Sequence, residues 1–289
     1  MAQKTNLNIS PYYDDYNKSN NFYKVLFKPG FPVQARELTT LQSLMQGQVE
    51  SFGSHMFKEG SMIIPGNIAY DGQFYAVKLD PINYGVDVSL YINNFIGKKI
   101  VGQVSGTTAK IQHVSFANNV GVDYLTIYVK YLDSDSNFAF NQFVDGETLS
   151  CNDNVTYGNT TIFAGTPFAS LISFNATSIG SAASIGNGTY FIRGYFANVS
   201  QQTIILDHYT NTPSYRVGLK IDELIINAKE DNSLYDNAKG FSNYSAPGAD
   251  RFKINLTLTK KLLTDLNDTD FVELLRLEDG KIKKIATKT

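Results

Sequence analysis

The densest group of side chains able to do chemistry lies in residues 230–251, EDNSLYDNAKGFSNYSAPGADR. There Glu230, Asp231, Asp236 and Asp250 stand among Asn237, Asn243 and several turn formers. A pair such as Asp231 and Asp236 could hold a cation or act as acid and base. Calcium, however, takes six or more oxygen ligands, and the spacing of an EF-hand loop is absent. Glycoside hydrolysis needs two carboxyl groups held a set distance apart, which spacing along a loop does not impose. The plainer reading is a long structured loop whose Asp and Asn side chains cap its own turns. Elsewhere nucleophiles are scarce. Cys151 is the only cysteine, and His55, His113 and His208 are scattered, so neither a Cys–His pair nor a disulfide framework is signalled. Cys151 reads as a half-buried small hydrophobe. Phosphate-loop, HExxH, CxxC and Gly-x-Ser-x-Gly patterns are all missing. No catalytic residue, cofactor or metal is therefore expected.

One stretch stands apart in its spacing. Across residues 33–57 the apolar residues recur at helical intervals: Leu38, Met45 and Phe52 are seven apart, with Leu41 between the first two. Pro32 bars a helix immediately before this stretch, and Gly60 suits a left-handed cap after it. A helix of about 22 residues would be roughly 33 Å long. Gln48 and His55 share that face, which is odd for a helix packed into its own domain. It is less odd for one that meets copies of itself, where a polar residue in the seam fixes register and oligomer number.

The rest reads as β. The 289 residues are 43% hydrophobic and 18% charged, with 18 Tyr, 19 Phe, no Trp and abundant turn formers. Strands are expected at 99–105, 107–114 and 124–131. In the last, Leu125, Ile127, Val129 and Tyr131 alternate with Thr126, Tyr128 and Lys130. Others are expected at 190–199, 203–207, 215–226 and 253–259, with hairpin turns at Asp71-Gly72 and Asp279-Gly280. Residues 166–188, rich in Ser, Ala and Gly, read as a connector. The fold class is mainly β, with β-sandwich or small-barrel modules and one long N-terminal amphipathic helix. Its parts are an N-terminal arm (1–32), an oligomerisation helix (33–60), a main β domain (61–84 and 166–289) and an inserted small β module (85–165). The chain stops soon after a hairpin strand, so either the polypeptide continues or a partner is expected to cover that edge. With 25 Lys and Arg against 27 Asp and Glu, the net charge is −2, and no basic cluster invites nucleic acid. No run approaches the ~18–20 apolar residues of a membrane span.

Two stretches resemble a known family. Residues 10–66, opening SPYYDDYNKSNNFYKVLFKPGFPVQAREL, and residues 230–258, EDNSLYDNAKGFSNYSAPGADRFKINLTL, are together similar to tailed-bacteriophage virion proteins. These occur especially in contractile-tailed phages of marine and cyanobacterial hosts and carry the label of a domain of unknown function. The resemblance implies a structural component of the tail, either a baseplate-wedge or a tail-fibre-connecting subunit, made in the host cytoplasm and resident in the virion. Its partners would be other tail and baseplate proteins and its own copies. By analogy with fibre and baseplate proteins those copies form a homotrimer, meeting through Leu38, Leu41, Met45, Gln48, Phe52 and His55. Two other readings stand beside it. One is a fibre domain that binds host-surface glycan by stacking sugar faces on exposed Tyr. The other is a glycan-degrading tail enzyme using Asp231, Asp236 or Asp250.

Overall fold

A computed structural model describes residues 3–133 and 141–286. Strands take 42% of residues and helices 13%, so the protein is mainly β. Among the described residues every strand pairing is antiparallel and no sheet closes into a barrel. The largest sheet has eight strands in the order Pro167–Ser170, Thr148–Cys151, Lys99–Gly102, Thr108–Ser115, Thr126–Asp133, Ile68–Lys78, Thr177–Ile185, Gln202–Asp207. A four-stranded sheet runs Arg251–Leu262, Tyr215–Ile226, Phe271–Glu278, Lys281–Ile285, and a three-stranded one Met62–Ile64, Gly188–Ile192, Tyr195–Val199.

Two large cores and one smaller cluster follow from alternation. On one, Ile127 and Val129 point inward with Ile100, Ile111, Phe95 and Phe168. Tyr128, one residue out of phase, is fully buried on the opposite face, stacked on Phe74 at 4.9 Å. The second core joins three sheets: Val217, Leu219 and Ile221 meet Leu256 and Leu258 from the neighbouring strand, Tyr190 and Ile192 from the small sheet, and Ala183 and Ile185 from the large one. The large sheet thus spans both cores; Lys99–Gly102, Thr108–Ser115, Thr126–Asp133 and Thr148–Cys151 lie inside it, while Val155–Tyr157 and Thr160–Ile162 pair with each other in a small sheet of their own.

Four local expectations change. The stretch read as a connector, 166–188, contains two strands, and Thr177–Ile185 is interior to the large sheet. Its small residues are what the position needs. A side-chain carbon on Gly180 would come 2.6 Å from the His208 carbonyl oxygen, and Ala182 and Ala183 are buried on opposite faces. Asp71-Gly72 makes no hairpin: Ile68–Lys78 runs straight through it, with a register irregularity in its partner opposite. Residues 190–199 hold a turn instead, at Arg193-Gly194, where both residues adopt positive φ (50° and 83°). Cys151 is fully buried, not half-buried. The Asp279-Gly280 hairpin forms with φ 50° and 73°, and its outer strand carries Lys281, Lys283 and Lys284, charges that protect a sheet edge.

Candidate functional site: the outward face of the helix

Helix α1 spans Ala35–Met56. The Glu37 side chain accepts the Gln34 N–H at 2.9 Å, closing the first turn. The last turn ends without a glycine cap. Phe57 is extended and its N–H bonds the Gly53 carbonyl, while Gly60 serves a turn further on, donating to the Phe191 carbonyl.

The helix is amphipathic in reverse. Its inner face is small and polar. Gly47 and Gly53 are buried because a side-chain carbon would come 2.3 Å from the Tyr16 hydroxyl and 2.4 Å from the Phe191 ring. Gln46 donates to the Gly194 carbonyl at 2.8 Å. Leu44 is the one buried large apolar residue of the helix. Along this face runs the start of the chain, held rung by rung. Arg36 pairs with Asp15 at 3.3 Å, Ser43 and Thr40 donate to the buried Asp14 carboxylate, and Lys18 reaches Ser51 at 3.0 Å.

The outer face is apolar and open. Met45 and Phe52 are each 66% exposed, and Leu38, Val49 and Met56 are exposed beside them. At about 100° per residue these five fall within roughly a 60° arc. Of the six residues marked by sequence, Leu38, Met45 and Phe52 lie on this stripe. Leu41, Gln48 and His55 flank one side of it, Leu41 half-buried and the other two exposed. Val49 and Met56 were missed because they fall outside the heptad seam. Their signal was the spacing of four from Met45 and Phe52. Preceding the helix, Phe22, Tyr23, Leu26, Phe27, Phe31 and Val33 are exposed too, in a segment without strand or helix.

The N-terminal arm is anchored to the four-stranded sheet by charge. The Lys4 and Thr5 backbone N–H groups donate to Glu223, at 2.9 and 2.6 Å, and Lys4 Nζ pairs with Asp270 at 2.6 Å. Arg193 sits between them, 2.6 Å from Glu223 and bonded to Asp270. Burial alone would push the Glu223 carboxyl up, but the donors from Lys4, Thr5 and Arg193 outweigh it and hold it below the usual range.

The acidic loop is occupied with itself. Glu230 accepts the Asn227 N–H at 3.1 Å, Asp231 that of Ser233 at 2.9 Å, and Asp236 that of Ala238 at 2.7 Å. Asp250 accepts the Tyr12 hydroxyl, tying the loop to the arm. Bonds from Ser233 hold the Asp231 carboxyl below its usual range, as turn-capping carboxylates behave. Among the described residues no three His, Cys, Asp or Glu side chains gather where they could share a metal, and no helix is long and apolar enough to cross a membrane.

Fold and surface together define a β-rich protein whose long helix, the only one among the described residues, turns its apolar side outward. A family model described as a domain of unknown function (DUF4815) matches residues 10–84 and 144–289, and the chain belongs to that family. Both stretches that carried the resemblance fall within the matched residues. No curated protein and no solved structure matches the chain.

Proposed function

We propose that the protein is a structural component of a bacteriophage tail, a baseplate-wedge or tail-fibre-connecting subunit that assembles through its N-terminal arm and helix α1. The observation that carries assembly is the open stripe of Leu38, Met45, Val49, Phe52 and Met56 on a helix whose one fully buried large apolar residue is Leu44. Large contiguous apolar patches on soluble proteins mark interaction sites, and a helix evolved only to cover its own core would turn these residues inward. The occupant we assign is the same face of two further copies, a homotrimer, with Gln48 and His55 flanking the seam as register-setting polar positions. The placement in a tail is supported by the likeness of residues 10–66 and 230–258 to virion proteins.

A non-enzymatic role is supported by the loop carboxylates, each committed to a turn or to the arm. The experiment is cryo-electron microscopy of tails from the phage that encodes the chain. Density for three copies joined along α1 is expected in the baseplate or at the fibre attachment. Tails without the chain, or with single copies whose helix stripe faces solvent, would overturn the reading.

A further inference from the structure

An open cleft of about 550 Å³ lies away from the helix, lined by Pro81, Asp87 and Ser89 on one side and by residues 116–119 and 123–125 on the other. Its volume falls within the range of small-ligand sites. Only Pro81 of this lining belongs to the family-matched residues; the rest falls in the unmatched stretch 85–143. The cleft therefore lies almost wholly outside the family-matched residues.

Both walls are held in place before anything binds. Asp87 accepts the Ser89 N–H at 2.8 Å, and Val88 donates to the Pro81 carbonyl at 2.9 Å. Opposite, Asn119 donates to the Phe116 carbonyl and Val122 to the Asn119 carbonyl, at 2.9 and 3.1 Å. Asp123 N–H reaches the Tyr209 hydroxyl at 3.3 Å, and Lys78 Nζ lies 5.6 Å from the Tyr124 ring centre and 4.4 Å from that of Tyr209. Tyr124 is nevertheless 44% exposed, so part of its ring stays open within the lining.

The lining combines two aromatic rings, Phe116 and Tyr124, with two carboxylates, Asp87 and Asp123, and two carboxamides, Asn118 and Asn119. Aromatic faces carry negative charge and attract the C–H face of a pyranose. Carboxylates accept from pairs of ring hydroxyls, and carboxamides both donate and accept. The lining itself has two carboxylates and no Lys or Arg, with Lys78 set against the Tyr124 and Tyr209 rings, so its charge favours a neutral or amino-bearing sugar over an anionic one. We propose that this cleft binds a neutral or amino-bearing sugar, one to a few pyranose rings long, stacked on Tyr124 and hydrogen-bonded by Asp123 and Asn118. The inference does not rest on the assembly reading and survives its failure.

Saturation-transfer NMR and titration calorimetry on the full chain test it with maltotriose, cellotriose, N,N′,N″-triacetylchitotriose, chitosan trimer and 3′-sialyllactose. At least one of the first four is expected to bind with a millimolar or tighter constant. Tyr124→Ala and, separately, Asp123→Asn are each expected to weaken that binding at least tenfold while leaving the melting temperature within a few degrees. No binding by any of the four at 10 mM, binding undiminished in both variants, or preference for sialyllactose would overturn the proposal.

Discussion

The double substitution Met45→Asp and Phe52→Asp separates an assembly helix from a core helix. Fully burying a Met or Phe side chain is worth roughly 1.5–3 kcal/mol. With each side chain 66% exposed in the single chain, an interface would gain about two thirds of that, about 1–2 kcal/mol per residue. Three copies losing both residues forfeit about 6 kcal/mol at the low end, four decades in the dissociation constant at about 1.4 kcal/mol per decade. The new carboxylates, facing one another across the seam, add repulsion. The same substitutions leave the core untouched, so the fold should change in stability by less than about 1 kcal/mol. Multi-angle light scattering at micromolar concentration should show the unaltered chain as a trimer and the variant as a monomer with an unchanged urea midpoint. An equal mass for both proteins refutes the reasoning about the stripe. A variant that unfolds refutes the claim that these side chains face outward.

Other predictions address the frame. Gly53→Ala puts a carbon 2.4 Å from the Phe191 ring. Forcing the helix off its seat should cost about 1–3 kcal/mol in urea unfolding; a neutral effect would show that the helix is loosely docked. Arg216 is almost fully buried between Asp268 and Glu273, so Arg216→Ala should destabilise by about 3 kcal/mol by leaving the Glu273 charge short of a partner. Stability should also fall in two steps as pH falls. Burial depresses His113, and burial with nearby Lys260 depresses His208, so both bind protons more readily unfolded, and their contribution is lost as pH drops below about 6.5. The second loss begins below about 4.5, because Glu273, which burial alone would raise, is held at about 2 by bonds from Arg276 and Arg216. His208→Gln should flatten the first step, and urea midpoints at a series of pH values would show no such change if His208 were solvated.

How much was legible differs by element. Strands with strict alternation stood out: Tyr215–Ile226 begins and ends where the pattern said, because Val217, Leu219 and Ile221 face one core with Gly218 and Lys220 between them. The Asp279-Gly280 turn was readable for a similar reason, since positive φ at two consecutive positions selects those residues. Thr177–Ile185 was not readable, because Ser, Ala and Gly carry no β signal and are placed there by the closeness of neighbouring backbone. Arg193-Gly194 hid for a different reason: an arginine at positive φ is tolerated only where its side chain is anchored, here by Glu223 and Asp270. The helix was visible in its spacing, and so was the side that proved exposed, though Val49 and Met56 lay off the heptad. The cleft could not be read at all. Asp87 and Tyr124 are far apart in sequence, and only the fold brings their segments to one opening.

The central claim is that α1 meets its own copies. Sedimentation equilibrium on the unaltered chain at several micromolar concentrations tests it most directly. A mass three times the 32.1 kDa of one chain is expected; a steady single-chain mass at every concentration would contradict it.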